Sequence, residues 1–390
     1  MAGYIMTFDS LDSLYDSAKR GIYSTKITIP TNGLWHSTTE STVADYATMK
    51  EGDNIYFFKN RKIYGVGELR NIGEDCKFLN FPESNIPEPT KFATVKKHLL
   101  NSKGKWKSRE KELRWICTFI PSPYFFHKAV DMDAVLMSNP TAFKMLRAFQ
   151  QLSFIKIDDY ENQALKDIIF KVNEEYIVSK HEEGVFENLS QKTHEEINKK
   201  IETGNYSFGV KEFLENSVLP DKSFRRETTL ELAILHQLSS KEEGTINIFG
   251  NWDYLSHQVV ASPFKPIIWM DKMDIFGYRY INGYKPTVSR FMAMELKKRD
   301  AEIEDVNQVL KYVDWIKNEY SYGDYSMISA FLVASNFSDE IITYIKENGS
   351  RRYTTNLRDD RVSEEWKDIK LVRYSYNVTL QKVEFEIIPY

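Results

Sequence analysis

The sequence predicts a multidomain protein of combined α/β and α+β class, and three observations lead to that prediction. The chain has 390 residues, more than one hydrophobic core usually holds together. Its first part shows short strand patterns broken by turn residues, whereas its last part alternates between helical and strand patterns. A stretch rich in Glu, Lys, Asn and Gln separates the two. We therefore expect a β-rich domain with helices at 1–158, a helical linker at 159–222 and an α/β domain at 223–390.

The composition indicates a soluble protein without a basic field over its whole surface. The hydrophobic content is 42%, the formal net charge is −4 and the isoelectric point is about 6.1. Any contact with nucleic acid therefore has to come from a local basic face. Two cysteines, Cys76 and Cys117, favour a reducing compartment over a disulfide framework. The sequence shows no signal peptide and no apolar run of about 20 residues, so we expect a cytoplasmic protein that does not enter a membrane.

The predicted β-rich domain combines strands with a few short helices. Residues 4–8, YIMTF, have a strand pattern, and the helix LDSLYDSAKR begins after Asp9 or Ser10, both good capping residues. Residues 52–69 alternate aromatic and β-branched side chains on either side of a Lys-Asn-Arg turn, which predicts a hairpin. RWICTFIP predicts another strand, and Pro140 opens a further short helix.

The predicted α/β domain alternates helices with the strands of a mixed sheet. The helical segments are ETTLELAILHQLS, EDVNQVLKYVDWIKNEY and SDEIITYIKENG. The strand segments are TINIFGNW, KPIIWMDKMDIFGYRY, SRFMAMELKK, MISAFLVAS and IKLVRYSY. Two of these strands carry charged side chains within apolar surroundings, and polar groups on a buried strand need a reason.

These charged side chains are the strongest chemical signal in the sequence. Asp274 lies in MDIFG, and Glu295 and Lys297 lie on the next long strand in MAMELKK. Residues two apart in a strand point to the same face, so Glu295 and Lys297 project together while Leu296 enters the core. If the two strands pair, Asp274 can join them. Two carboxylates and a lysine at a sheet end suit metal-assisted phosphodiester hydrolysis, in which the carboxylates hold Mg²⁺ and the lysine orients water or stabilises charge.

This part of the chain resembles the PD-(D/E)xK nuclease superfamily over roughly 223–390. Glu231 matches the acidic residue that these nucleases often carry on their first core helix. Gln308 and Tyr312 resemble the glutamine-x-x-x-tyrosine pattern of the RecB-like branch, and at this spacing they share one helix face. The sequence departs from the motif at one position, where Met273 stands in place of the proline before the aspartate.

The resemblance implies both a metal-binding set and a catalytic set. The metal ligands would be Asp274, Glu295 and Glu231, with Mg²⁺ as the cofactor and Mn²⁺ as a substitute. The catalytic set would add Lys297 and Gln308 to these carboxylates.

Simpler explanations remain open for the individual residues. Asp271 is an alternative to Asp274, and Glu227 is an alternative to Glu231. The Glu-Leu-Lys motif would also suit a surface ion pair on an edge strand. Gln308 would suit an ordinary solvated position on a helix.

The first part of the chain resembles the YTH and EVE branch of the PUA-like domains. GLWHSTT is similar to their tryptophan-serine-threonine segment, IYGVGELR to a glycine-containing strand, and RWICTFIPSPYF to a strand that leads to a proline-phenylalanine turn. The resemblance implies a PUA-like β-barrel with helices at 1–158. It also implies an aromatic cage around a flipped, modified base, where stacking on one ring is worth roughly 1–3 kcal/mol.

The resemblance also implies the residues that bind the base. Trp35 would form one wall of the cage, and Ser37 and Asp9 would hydrogen-bond to the edge of the base. The alternative for Trp35 is a core anchor.

The second wall of the cage would come from the segment 74–110. Phe81 and Trp106 are candidates for it, and Phe78 is a third. Trp106 lies in a stretch, 94–114, that carries eight Lys or Arg against two Glu. A basic loop with an aromatic residue suits a phosphate backbone, and it also suits an ordinary solvated loop.

Together the two resemblances predict a Mg²⁺-dependent DNA endonuclease of the restriction type that cuts at or near a modified base. One active site per chain and a cut in both strands imply a homodimer with twofold symmetry. The alternatives are a restriction enzyme that reads unmodified DNA, an RNA-directed nuclease, and a binding protein whose nuclease fold is inactive.

Overall fold

The computed structural model describes residues 1–27, 35–84, 114–121, 128–144, 154–178, 185–204, 206, 208–262, 269–356 and 361–390. The chain divides into two compact units. The first unit comprises Met1–His36 and Met49–Glu212, and the second unit comprises Ser37–Thr48 and Phe213–Tyr390. Each unit has its own mixed sheet with helices, in agreement with the predicted class.

This division differs from the three predicted zones in two places. Ser37–Thr48, which we expected in the β-rich domain, belongs to the second unit, and most of the expected linker at 159–222 belongs to the first unit. The linker was predicted from charged residues between apolar positions at helical spacing. Some of those apolar positions, among them Leu165, Ile169 and Ile197, are buried in the first unit, where Ile197 packs with Ile22 and Ile116.

The elements up to residue 215 are β1 Gly3–Thr7, α1 Leu11–Arg20, β2 Ile22–Lys26, α2 Ser37–Ala47, β3 Asn54–Lys59, β4 Lys62–Leu69, β5 Lys77–Leu79, β6 Arg114–Pro121, β7 Val130–Asp131, α3 Met132–Ser138, β8 Phe154–Ile157, α4 Asp159–Val172, α5 Glu174–Val178, α6 Val185–Glu202 and α7 Lys211–Glu215. The elements that follow are α8 Glu227–Ser239, α9 Glu243–Phe249, β9 Tyr254–Val260, β10 Lys272–Tyr280, β11 Val288–Leu296, α10 Ile303–Glu319, β12 Ile328–Ala334, α11 Asp339–Asn348, β13 Arg351–Asn356, β14 Arg361–Trp366, β15 Ile369–Asn377 and β16 Lys382–Ile388.

The first unit is built on a sheet with the strand order β2-β6-β4-β3-β1-β8, to which β5 adds beside β6 and β7 beside β4. The sheet forms a half-barrel, so the closed PUA-like barrel stays a prediction. Helix α1 begins after Ser10, whose side chain accepts a hydrogen bond from the N–H of Ser13. Asn60 and Arg61 both have positive φ at the turn of the predicted hairpin, as a tight two-residue turn requires.

Two local predictions are wrong. The segment TINIFGNW forms helix α9 instead of a strand, because the Glu242 carboxylate accepts a hydrogen bond from the N–H of Thr245 and caps the helix. Pro140 does not open a helix within 140–144; the residues before it form α3, which Asp131 caps. The remainder of the predicted helix lies outside the described residues.

The second unit is built on a sheet with the strand order β16-β15-β12-β11-β10-β9. Strands β11, β12 and β15 are parallel, and the outer strands join them antiparallel. Strand β12 is buried along its whole length. Helix α10 packs on β11 and β12, and α8 packs against β9, β10 and β11. Within the ranges that the structure describes, we find no helix with the length and apolar character of a membrane span.

A buried carboxylate anchors helix α2 in the second unit. Glu40 has no exposed surface, and it accepts hydrogen bonds from Ser217 Oγ at 3.1 Å, from Thr229 Oγ1 at 3.0 Å and from Thr228. The Arg226 guanidinium lies 3.5 Å from the same carboxylate. A buried carboxylate is tolerated only when donors and a cation compensate it. This cluster therefore explains why a segment from early in the chain is built into the second unit.

We predict that Glu40→Ala strongly destabilises the second unit. The substitution leaves buried hydroxyls and a guanidinium without their acceptor, so the free energy of unfolding should fall by roughly 3–5 kcal/mol. Urea denaturation measures the free energy of unfolding, and native-state hydrogen exchange of the α8 amides shows whether the loss of stability falls on the second unit. The control is Glu347→Ala at an exposed position of α11, which should change stability by no more than about 0.5 kcal/mol. An equally small effect of Glu40→Ala would contradict the anchoring role.

Candidate functional site

Asp274 and Glu295 lie side by side where two neighbouring strands of the second unit meet. Strands β10 and β11 are antiparallel and pair Ile275 with Met294. The next positions outward on the two strands are Asp274 and Glu295. The backbone N–H of Leu296 donates to Asp274 Oδ2 at 2.8 Å. The sequence left the pairing of these two strands as a condition; the strands do pair, and this brings two of the predicted carboxylates together.

Lys297 is fixed between two carboxylates. Its Nζ atom lies 2.8 Å from Glu295 Oε1 and 3.2 Å from Asp305 Oδ1. Asp305 belongs to the first turn of α10, where it also accepts a hydrogen bond from the N–H of Glu302. Burial disfavours the charged ammonium, but Glu295 and Asp305 outweigh burial, so the pKa of Lys297 is raised above its ordinary value. Lys297 is therefore a cation at neutral pH.

A glutamine amide links Asp274 to a third carboxylate. Gln258 Nε2 donates to Asp274 Oδ1 at 3.0 Å and to Oε2 of Glu231, on α8, at 3.2 Å. Gln258 lies on β9 with a φ of 52°, in the left-handed region that residues with a side chain rarely adopt. Such conformations persist where the surroundings impose them, and they cluster at functional sites. The strained glutamine therefore joins two of the three predicted acidic positions, Asp274 and Glu231.

A buried histidine holds the other side of Glu231. His257 Nδ1 contacts Glu231 Oε1, and His257 Nε2 lies 2.9 Å from Oδ1 of Asp45, on α2. Burial lowers the pKa of His257, but the charges of Asp45 and Glu231 outweigh burial and raise that pKa well above its ordinary value. His257 is therefore a buried cation between two carboxylates.

Two carboxylates of the site, Asp274 and Glu295, have raised pKa values. Burial raises the pKa of Asp274, and the charges of Glu295 and Glu231 raise it further. Burial also raises the pKa of Glu295, although the neighbouring Lys297 opposes that rise. A set of carboxylates held against burial and mutual repulsion lowers stability, and it is typical of sites that perform chemistry.

Gln308 contacts Tyr312 in the structure. Its amide donates to the Tyr312 hydroxyl, which in turn donates to the carbonyl of Lys272 at 2.6 Å. Burial raises the pKa of Tyr312, and the charge of Glu295 raises it further, so the phenol stays neutral. The structure thus connects Gln308 to the carboxylates through Tyr312, and a direct catalytic role for Gln308 stays a prediction.

Two observations fit a hard divalent cation at this site. Glu295 Oε2 is buried, and the Tyr312 hydroxyl close to this carboxylate donates its proton to the Lys272 carbonyl instead, so among the described residues that oxygen has no hydrogen bond of good geometry. Beside it, the pKa of Asp274 is raised, and a bound cation would lower that pKa by favouring the ionised carboxylate. Within the described part of the chain, no group of three or more His, Cys, Asp or Glu side chains is already arranged as a metal site. Mg²⁺ needs no such cage, because it binds one or two carboxylates and keeps water or substrate oxygens as its other ligands.

Asp274 and Glu295 are therefore the residues that would hold the cation. Glu231 is turned towards His257 and Gln258, so its place as a third ligand stays a prediction. Of the alternative candidates, Glu227 is exposed at the start of α8.

Trp35 and Ser37 belong to different units. Trp35 belongs to the first unit and has no exposed surface, which is what its alternative role as a core anchor predicts. Ser37 is the exposed first residue of α2 and belongs to the second unit. The base-binding roles of both residues stay predictions.

The other predicted base-binding residues lie in the first unit. Asp9 is exposed, and its carbonyl accepts a hydrogen bond from Lys59 Nζ at 2.6 Å. Phe81 is half-buried beside an apolar core, and the Arg20 guanidinium lies 4.9 Å from the centre of its ring. Trp106 lies outside the described residues.

The sequence analysis did not identify four residues of the network. These residues are Asp45, His257, Gln258 and Asp305. Asp305 had a detectable signal, since it is an acidic residue in the first turn of a predicted helix. The other three had none, because Gln258 depends on an unusual backbone conformation and the Asp45–His257 contact joins distant segments.

Comparisons with known proteins give only distant similarity. No family model and no curated protein matches the chain. One similar solved structure is a repair endonuclease from Pyrococcus abyssi, with 23% identity over 26% of this chain and 38% of that chain and a TM-score of 0.19. Others are a hypothetical protein from Leishmania major, with 12% identity over 45% of this chain and 97% of that chain and a TM-score of 0.26, and an ASCH protein from Zymomonas mobilis, with 10% identity, 43% and 95% coverage and a TM-score of 0.22. TM-scores this low do not establish a shared fold, so a functional assignment has to rest on the residues of the site.

We predict that Asp274→Asn stabilises the metal-free protein, and increasingly so as the pH rises. An unfolded aspartate has a pKa of about 3.9, whereas burial and neighbouring charges raise the pKa of Asp274 in the folded protein. Ionisation of Asp274 therefore destabilises the folded protein. The destabilisation begins as the pH rises through the pKa of the unfolded aspartate, and it is complete above the pKa of Asp274 in the folded protein. The asparagine keeps an acceptor for the N–H of Leu296 without this cost, but its NH2 group replaces the oxygen that accepts from Gln258. That loss does not vary with pH, so the increase of the gain with pH is the decisive result.

The measurement is the thermal unfolding midpoint in EDTA at about pH 5 and about pH 8. The exposed Glu347→Gln variant is the control for removing one carboxylate. The gain from Asp274→Asn should be larger at the higher pH. A gain that is absent, or that shrinks with rising pH, would show that the carboxylates do not repel one another.

Proposed function

We propose that the second unit is a metal-dependent nuclease that hydrolyses phosphodiester bonds in DNA. One observation carries the proposal: Asp274, Glu295 and Lys297 come together at the ends of two antiparallel strands, with both carboxylates buried. A cationic lysine beside two carboxylates supplies what hydrolysis of a phosphodiester needs, which is a place for a divalent cation and a donor for the negative charge of the phosphate.

Each side chain has a role that its contacts support. Asp274 and Glu295 would hold Mg²⁺ or Mn²⁺, which when bound polarises a phosphoryl oxygen and lowers the pKa of a water molecule. Lys297 keeps its proton, so it acts as a donor to the phosphate or to the attacking water and not as a base. Asp305 holds the ammonium in place. Glu231 adds negative charge next to Asp274 through the shared Gln258 amide.

The burial of Glu295 argues against the simpler explanation of a surface ion pair. Only 2% of Glu295 is exposed, whereas the Lys297 side chain keeps 23% of its surface exposed. A surface pair on an edge strand would expose both partners, and β11 is an inner strand of the sheet. A buried ion pair contributes little or nothing to stability compared with apolar residues of the same size. A functional role accounts better for this placement.

We further propose that the first unit directs cleavage to DNA at or near a modified base. The support for this step is the resemblance of GLWHSTT, IYGVGELR and RWICTFIPSPYF to the base-reading segments of YTH and EVE domains. The acting form would be a homodimer, because a cut in both strands of a duplex with one site per chain takes two chains related by a twofold axis.

The test is a cleavage assay of the full chain on matched duplexes that are unmodified, cytosine-modified or adenine-modified, with Mg²⁺ or with EDTA. We predict cleavage with Mg²⁺, none with EDTA, and a loss of about 100-fold or more in Glu295→Ala and Lys297→Ala. Glu347→Ala, at an exposed position of the same unit, is the control and should cleave like the wild type.

The substrates separate the alternatives. Cleavage of one modified duplex only supports the modified-base proposal and names the base. Equal cleavage of all duplexes supports the nuclease and rejects modification dependence. Cleavage of RNA in preference to DNA would indicate an RNA-directed nuclease. If the wild type cleaves no DNA or RNA, or if Glu295→Ala cleaves as well as the wild type, the nuclease proposal fails.

A further inference from the structure

Helix α2 brings a charged residue to the candidate site from a distant part of the sequence. The helix lies between two stretches of the first unit in the chain, yet it belongs to the second unit and packs against α8. Its Asp45 contacts His257 on β9, more than 200 residues later in the chain. The same helix is separately anchored in the second unit by the buried Glu40.

A continuous chain of polar contacts runs from Asp45 to the predicted metal ligands. Asp45 Oδ1 lies 2.9 Å from His257 Nε2, and the opposite ring nitrogen, Nδ1, contacts Glu231 Oε1. The other oxygen of Glu231 accepts from Gln258, whose amide also donates to Asp274. Both ring nitrogens therefore face a carboxylate: Nε2 lies at hydrogen-bonding distance from Asp45, and Nδ1 makes a close ion-pair contact with Glu231 without the geometry of a hydrogen bond. The two contacts on opposite sides restrict the orientation of the ring. The ring in turn fixes the carboxylate of Glu231 at its place beside Asp274.

We propose that Asp45 and His257 are positioning residues for the metal site: they hold Glu231, whose two oxygens contact His257 and Gln258, and through Gln258 they fix the carboxylate of Asp274 that would bind a divalent cation. This inference rests on the proposed function, because it assigns the pair to the same metal site. Residues that hydrogen-bond to metal ligands orient them, and their loss typically weakens metal affinity by about 10- to 100-fold. Asp45 touches neither the substrate nor the cation, so its effect has to pass through His257 and Glu231.

The exposed fractions of the side chains agree with a positioning role. The side chains of His257, Glu231 and Asp45 are 9%, 3% and 18% exposed. Burying an imidazole and two carboxylates together costs desolvation that apolar side chains of similar volume would avoid. The set of three makes sense where the orientation of one carboxylate matters more than stability.

The test is calorimetric titration of Mn²⁺ into the full chain, for the wild type and for Asp45→Asn. The asparagine keeps the shape of the side chain but removes the charge that holds the imidazole. We expect Asp45→Asn to weaken Mn²⁺ binding by about tenfold. In cleavage assays, the Mn²⁺ concentration for half-maximal rate should rise by a similar factor, while the rate at saturating Mn²⁺ stays close to that of the wild type.

The matched control is Glu40→Gln, which alters the other buried carboxylate of α2 without touching His257. Glu40→Gln should lower the thermal unfolding midpoint but leave Mn²⁺ affinity unchanged. Equal Mn²⁺ affinity in Asp45→Asn and the wild type, or an equal loss in Asp45→Asn and Glu40→Gln, overturns the positioning role and leaves the proposed nuclease standing. Absence of Mn²⁺ binding by the wild type, or binding that Glu295→Ala does not weaken, overturns the metal site and the inference with it.

Discussion

The candidate site depends on the compensation of carboxylates that the fold buries at the meeting point of two antiparallel strands and a helix. The carboxylates are Asp274, Glu295 and Glu231, and the groups that compensate them are Lys297, Gln258 and His257. Without these partners, desolvation of each charge would cost several kcal/mol. With them the cluster is tolerated, but burial and repulsion still raise the pKa of Asp274 and of Glu295. A divalent cation would remove that remaining cost, which connects the electrostatics of the cluster to its proposed chemistry.

Helix α2, which comes from early in the sequence, is connected to the same cluster. The second unit takes α2 from early in the sequence, with Glu40 as its anchor and Asp45 at its contact with His257. Helix α2 thereby provides a stabilising contact and a polar one within a single stretch of the chain. The segments on both sides of α2 belong to the first unit. The chain thus passes from the first unit to the second unit, back to the first and again to the second. The three consecutive domains predicted from the sequence do not include this return.

Local patterns predicted much of the fold and the charged residues of two strands, but not the network around them. The patterns of MDIFG and MAMELKK predicted two strands, and both are present. Their pairing, which the sequence left as a condition, is seen only in the structure. TINIFGNW was predicted as a strand from its β-branched residues, yet a capping carboxylate made it a helix. Trp35 was predicted in a cage and is buried. His257 gave no signal, since its role comes from a contact with a helix more than 200 residues away.

The proposed chemistry depends on the binding of a divalent cation by the buried carboxylates of the second unit. The most direct measurement is anomalous diffraction at the manganese edge from crystals of the full chain grown with Mn²⁺. We expect a manganese ion coordinated by oxygens of Asp274 and Glu295, with Lys297 beside it and water at the remaining positions. A site that stays without manganese at saturating concentration, with Lys297 still paired to Glu295, would contradict the claim.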